Sequence, residues 1–246
     1  MVSTTGAAAK GTRPRLSAPG LKFATVTVGN EHKRFVVHED LLTNHSTFFR
    51  AALTGGFKES IDKAVHLEDQ DSRIFELFVH WLYYQNFPAQ KYNDDKDTIE
   101  LYLGNVGVVK FEFRLDTLIR LYVFGDKYDA KALRHEAITE IFNRILNPFS
   151  TDEFPEAESI DYAFAHLDAE TPLCRLLVDT TWSLDQLDFV DPDKIGSLSF
   201  MRSVWKRYKS GNSTGSIEKF DNKNVCHYHE HVDAAEREEC SVRFKR

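Results

Sequence analysis

The chain has 246 residues, 42% hydrophobic and 28% charged, with 19 Phe. That is material for one large folded domain or two small ones. Its net charge of −7 argues against a whole-chain attraction to nucleic acid or to an anionic membrane.

No apolar run approaches the roughly 20 residues of a membrane-crossing helix. The first twenty residues lack the apolar stretch of a secretory signal. Three cysteines, Cys174, Cys226 and Cys240, are too few for a disulfide framework. The expected setting is intracellular, cytoplasmic or nuclear.

Residues 1–20 are rich in Ala, Gly, Ser, Thr and Pro and are expected to form a disordered tail. Phe23 to Val28 reads as a β-strand ended by Gly29-Asn30, and Arg34 to His38 as its hairpin partner. The period then turns helical. Leu41, Leu42, Phe48, Phe49, Ala52 and Leu53 mark two short helices, with Ser46 capping the second and Gly55-Gly56 stopping it. Ala64 to Leu67 is a third strand.

Asp71 or Ser72 caps a helix running to Gln85, apolar on nearly every side. Residues 86–113 read as an insertion: a polar loop, then a hairpin of Ile99–Leu103 and Val108–Phe113 around Gly104-Asn105. Two helices follow. Leu118, Leu121, Tyr122, Phe124 and Tyr128 mark the first. Leu133, Ile138, Ile141, Phe142, Ile145 and Leu146 mark the second, which Pro148 ends. Residues 149–210 continue as a helical extension. Ser159 is expected to cap one helix, Thr171-Pro172 to open another, and Ser199–Tyr208 to form a third. Lys209–Thr214 plus Gly215-Ser216 is expected to be a linker, and 211–246 a polar tail.

His38, Leu41, Leu42, Ser46, Phe48 and Phe49 stand in one ungapped register. Phe35 precedes them and Val65–Asp69 follows. This pattern resembles a BTB/POZ domain over residues 21–148, of the fungal type with a helical C-terminal extension. The resemblance implies an α/β (α+β) fold: a small sheet with a helical cluster, followed by further helices. The six motif residues are expected to be core or cap.

The resemblance also implies function at surfaces, with protein partners and no enzyme activity. Members that bind a cullin scaffold, and so serve as ubiquitin-ligase substrate adaptors, carry an apolar residue, any residue, then Glu just after the second helix. Phe57-Lys58-Glu59 occupies that place. Phe57 is either an exposed anchor or folded back on the core beside Gly55-Gly56. The other reading is a self-associating or hetero-oligomeric scaffold without a ligase role.

One cluster lies outside the motif. Cys226, His229, His231 and Cys240 give C-x2-H-x-H-x8-C, two thiols and two imidazoles, the donor set of a structural zinc site. On a strand the two histidines would share a face. The plain alternative is a solvated tail with incidental His and Cys. No phosphate-binding glycine loop, dinucleotide fingerprint or nucleophile elbow occurs, so no small-molecule substrate is expected.

Overall fold

The computed structural model describes residues 14–17, 19–88, 115–145, 155–183, 194–213 and 225–244. The expected inserted hairpin at 99–113, the helix stop at Pro148 and residues 1–13 and 18 of the expected N-terminal tail lie outside them. The chain divides into two compact units, residues 1–75 and 76–246.

In the first unit, β1 (Phe23–Val28) is the central strand of a three-stranded sheet. It pairs antiparallel with β2 (Lys33–His38), setting Val26 opposite Phe35, and parallel with β3 (Ala64–Leu67), setting Val28 opposite Leu67. The period of two turns Ala24, Val26 and Val28 inward, where they are fully buried. Gly29 opens the hairpin turn with φ +71°, and a side chain there would press on the Gln70 carbonyl at 3.1 Å.

Between β2 and β3 run α1 (Glu39–His45), α2 (Thr47–Thr54) and the five-residue α3 (Lys58–Asp62). Ser46 joins the first two. Its N–H donates to the Leu42 carbonyl, closing α1, and its Oγ accepts the Phe49 N–H at 3.1 Å, opening α2. Leu41, Leu42, Phe49 and Leu53 are buried, each worth about 2–3 kcal/mol of burial.

Phe48 departs from the expected core position. It is 38% exposed and rests edge-on against Phe49, with centroids 5.2 Å apart. Neighbours on a helix lie about 100° apart, so only one of the pair can face inward. Lys63 ends α3 in the left-handed region at φ 50°. Its ammonium reaches the buried Glu39 carboxylate at 2.7 Å and the Leu53 carbonyl at 2.8 Å.

Helix α4 (Ser72–Tyr84) begins in this unit, where Asp71 Oδ1 accepts the Arg73 N–H and Phe75 packs edge-on against Phe35. The rest of α4 belongs to the second unit. There Phe78 packs on Phe124 at 5.1 Å and stacks with Trp81. Helices α5 (Leu115–Lys127) and α6 (Lys131–Ile145) form a hairpin through Asp129, whose φ is 45°. Then come α7 (Ala157–His166), α8 (Pro172–Ser183) and α9 (Leu198–Ser213).

Two expectations change here. Ser159 is not a cap: α7 starts earlier, with Glu156 at the N-cap position and no side-chain cap bond, and Ser159 is buried within it. The linker expected from Lys209 is helical through Ser213, because extending a formed helix adds a hydrogen bond per residue while breaking it gains none. The start of α8 at Pro172 matches the Thr-Pro signal; the Thr171 hydroxyl donates back to the Asp168 carbonyl. Asp161 of α7 accepts the N–H groups of Gly196 and Ser197 at 2.8 Å each, fixing the approach to α9. No helix among the described residues is long and apolar enough to cross a membrane.

Candidate functional sites

The first candidate is the surface after α2. Phe57 is the residue before α3 and is 64% exposed. Its carbonyl accepts both the N–H and the hydroxyl of Ser60, which holds the turn. One edge of the ring lies over Gly55, where an added methyl would meet it at 3.1 Å, while the outer face is open. Glu59 is exposed. Ile61, four residues beyond Phe57 and 80% exposed, extends the apolar surface along α3. The motif reading omitted Ile61; its i, i+4 spacing from Phe57 was the available signal.

The second candidate is the Cys/His cluster. Its residues are not on a strand. Cys226 sits in a 3-10 turn (Val225–Tyr228), His229 and His231 in the loop after it, and Cys240 on α10 (Ala234–Phe244). The turn forms because Val225, Cys226 and Tyr228 bury their side chains. α10 starts at Asp233, whose Oδ1 accepts the Glu236 N–H at 2.8 Å, while Glu236 reaches back to the Val232 N–H. One ligand atom from each of Cys226, His229, His231 and Cys240 lies within 4.8 Å of all the others.

The histidines differ in their bonding. His229 is buried, with Nδ1 3.0 Å from Cys240 Sγ and Nε2 2.9 Å from Thr139 Oγ1. The Thr139 hydroxyl donates to the His135 carbonyl at 2.6 Å. Its one proton is committed there, so it accepts from His229 Nε2–H. That fixes the tautomer and leaves the Nδ1 lone pair facing Cys240. His231 buries both ring nitrogens with no hydrogen-bond partner among the described residues.

A polar frame on α6 and α8 seats this segment. Arg134 is buried and grips Glu230 through Nε at 3.0 Å and Nη2 at 2.6 Å, with Nη1 on the Gly125 carbonyl at 2.9 Å. Burial disfavours its charge, but the Glu230 carboxylate outweighs that and raises its pKa. Burial, with the Lys131 ammonium nearby, pushes His135 down to about 4. Its neutral Nε2 accepts the Glu230 N–H at 3.0 Å, and its ring stacks on His229 at 4.6 Å. Tyr228 donates to Asp179 of α8, and Lys131 pairs with Glu236 at 2.7 Å. Arg175 and Arg237 line an open depression beside the cluster.

The BTB/POZ domain family model matches residues 16–105. The chain is similar to the mouse (Mus musculus) Kelch repeat and BTB domain-containing protein 4, 28% identical over 114 residues, which is 46% of this chain and 17% of that protein. The Macaca fascicularis protein of the same name is 33% identical over 82 residues, 33% of this chain and 15% of the relative. The human one is 34% identical over 62 residues, 25% and 12%. The matched segments thus span no more than 17% of these relatives' length.

Proposed function

We propose, from the premise that the chain carries a BTB/POZ domain and so a protein-interaction module, that its docking surface is the Phe57–Ile61 stretch. The partner proposed is the N-terminal helical region of a cullin scaffold, which makes the chain a ubiquitin-ligase substrate adaptor. The observation that carries the reading is an aromatic 64% exposed just before a helix five residues long, and an isoleucine 80% exposed on that helix four residues later. Each leaves apolar area in water that a partner's groove would cover, worth about 1–2 kcal/mol per side chain. Aromatic anchors of this kind dominate interface energies. Glu59, exposed between them, supplies a charged acceptor at the rim.

Calorimetric titration of the full chain against a purified cullin N-terminal region tests this. Micromolar or tighter binding is expected. Phe57→Ala should weaken it at least tenfold, about 1.4 kcal/mol, and Glu59→Ala by a few fold. No binding by the parent at micromolar concentration overturns the adaptor reading. Unchanged binding by both variants overturns the site. A stable homo-oligomer in light scattering, without cullin affinity, favours the self-associating scaffold instead.

A further inference from the structure

We infer that Cys226, His229, His231 and Cys240 bind one Zn2+, and that this closed site staples the C-terminal helix to α6. The ligands are Cys226 Sγ, His229 Nδ1, a ring nitrogen of His231 and Cys240 Sγ. This goes beyond the docking surface, lies in the other unit and stands on its own evidence.

The geometry carries most of the case. Zinc bonds of about 2.0–2.1 Å to nitrogen and 2.3 Å to sulfur place tetrahedral ligand atoms roughly 3.3–3.8 Å apart. The four atoms here already lie within 4.8 Å of one another, so small side-chain rotations complete the shell. They come from a turn, a loop and a helix within residues 226–240, and the fold of that stretch brings all four together.

The hydrogen bonds carry the rest. A zinc-bound imidazole ordinarily donates its other N–H to an oxygen that fixes its tautomer. Thr139 does this for His229, since its own proton is held by the His135 carbonyl. Its Nδ1 lone pair faces Cys240 Sγ at 3.0 Å. His231 buries two ring nitrogens without a hydrogen-bond partner among the described residues, and a metal bond satisfies the unprotonated one. On binding, each thiol loses its proton to solvent, and two thiolates neutralise the dication.

Four protein ligands leave no open position, so the site is structural rather than hydrolytic. What it holds is plain from its surroundings. Cys240 anchors α10, and Thr139 ties His229 to α6 across 90 residues of sequence. Thr139 is thus a positioning residue for the metal.

The test uses the full chain. Elemental analysis after dialysis against zinc and then metal-free buffer should give one zinc per chain. Co2+ in its place should give the intense visible bands of a tetrahedral thiolate site. Cys240→Ser should lose both signals. Thr139→Val should keep the cobalt spectrum but bind zinc about 10–100-fold more weakly, and Thr139→Ser should restore it. The cobalt titration of the parent decides the matter even if Cys240→Ser does not fold. Less than a tenth of an equivalent of zinc with no cobalt bands overturns the site. So does a Cys226–Cys240 disulfide in the freshly isolated, metal-free protein. Unchanged zinc affinity in Thr139→Val overturns its positioning role.

Discussion

Replacing Arg134 by Met is the sharpest test of how the C-terminal segment is held. The methionine keeps most of the apolar stem, so packing is largely preserved. The substitution removes two bonds to Glu230, one to the buried Gly125 carbonyl and a longer one to the exposed Asp129 carboxylate at 3.4 Å. The Gly125 carbonyl keeps the Ala130 N–H, so the loss of its charge-assisted bond costs about 1–2 kcal/mol. Stranding a fully buried carboxylate costs about 3–5 kcal/mol, but Glu230 is 34% exposed and water recovers much of that, leaving about 1–2 kcal/mol. The expected loss is therefore about 2–4 kcal/mol, or roughly 5–10 °C in Tm for a unit of this size. All three tryptophans, Trp81, Trp182 and Trp205, follow Phe75, so their fluorescence in urea reports on the second unit alone. Measured with chelator present, a cycle with Glu230→Gln should give a coupling of about 1–2 kcal/mol. A loss below about 0.5 kcal/mol for Arg134→Met, or additive single variants, would refute the pair's role.

Other outcomes follow from single contacts. Ser46→Ala removes the cap on α2 and should cost about 1 kcal/mol, followed by circular dichroism in denaturant; no loss would mean the Phe49 N–H finds another acceptor. Lys63→Met strands the buried Glu39 carboxylate and the Leu53 carbonyl, so about 1–3 kcal/mol should go, and adding Glu39→Gln should restore part of it. A double variant no better than the single one contradicts the pairing. Cys174 is buried, and burial pushes its thiol up to about 11, so iodoacetamide at neutral pH should spare it in the native chain. With chelator present, Cys240, which is only half-buried, should be alkylated first; labelling of Cys174 at its rate would show that α8 opens readily.

The first unit was legible because its signals are local. Strand alternation from Ala24 to Val28, the Ser46 cap and the Gly55 stop each act within a few residues, and the structure uses each as read. Phe48 was misjudged because the pattern recorded two aromatics without asking which helix face each occupies. α3 was invisible to periodicity, being a single turn opened by Phe57 and closed by a left-handed lysine. In the tail, the four cluster residues were visible but their conformation was not. Asp233 and Glu236 spell a helix-start signature that the strand reading passed over. The frame could not be read at all. Arg134, His135 and Thr139 look like ordinary polar positions on α6, and only their partners some 90 residues later account for their burial.

That separation has a consequence for motion. Closing a loop of this length is entropically expensive for the first contact, while later contacts across the same gap cost little extra. The Arg134–Glu230, Thr139–His229 and Lys131–Glu236 pairs therefore stand or fall together. The amides of residues 225–244 are expected to share one opening free energy in hydrogen exchange, rather than fraying inward from Phe244. The segment then behaves as a latch: shut with all its pairs made, or released as one piece.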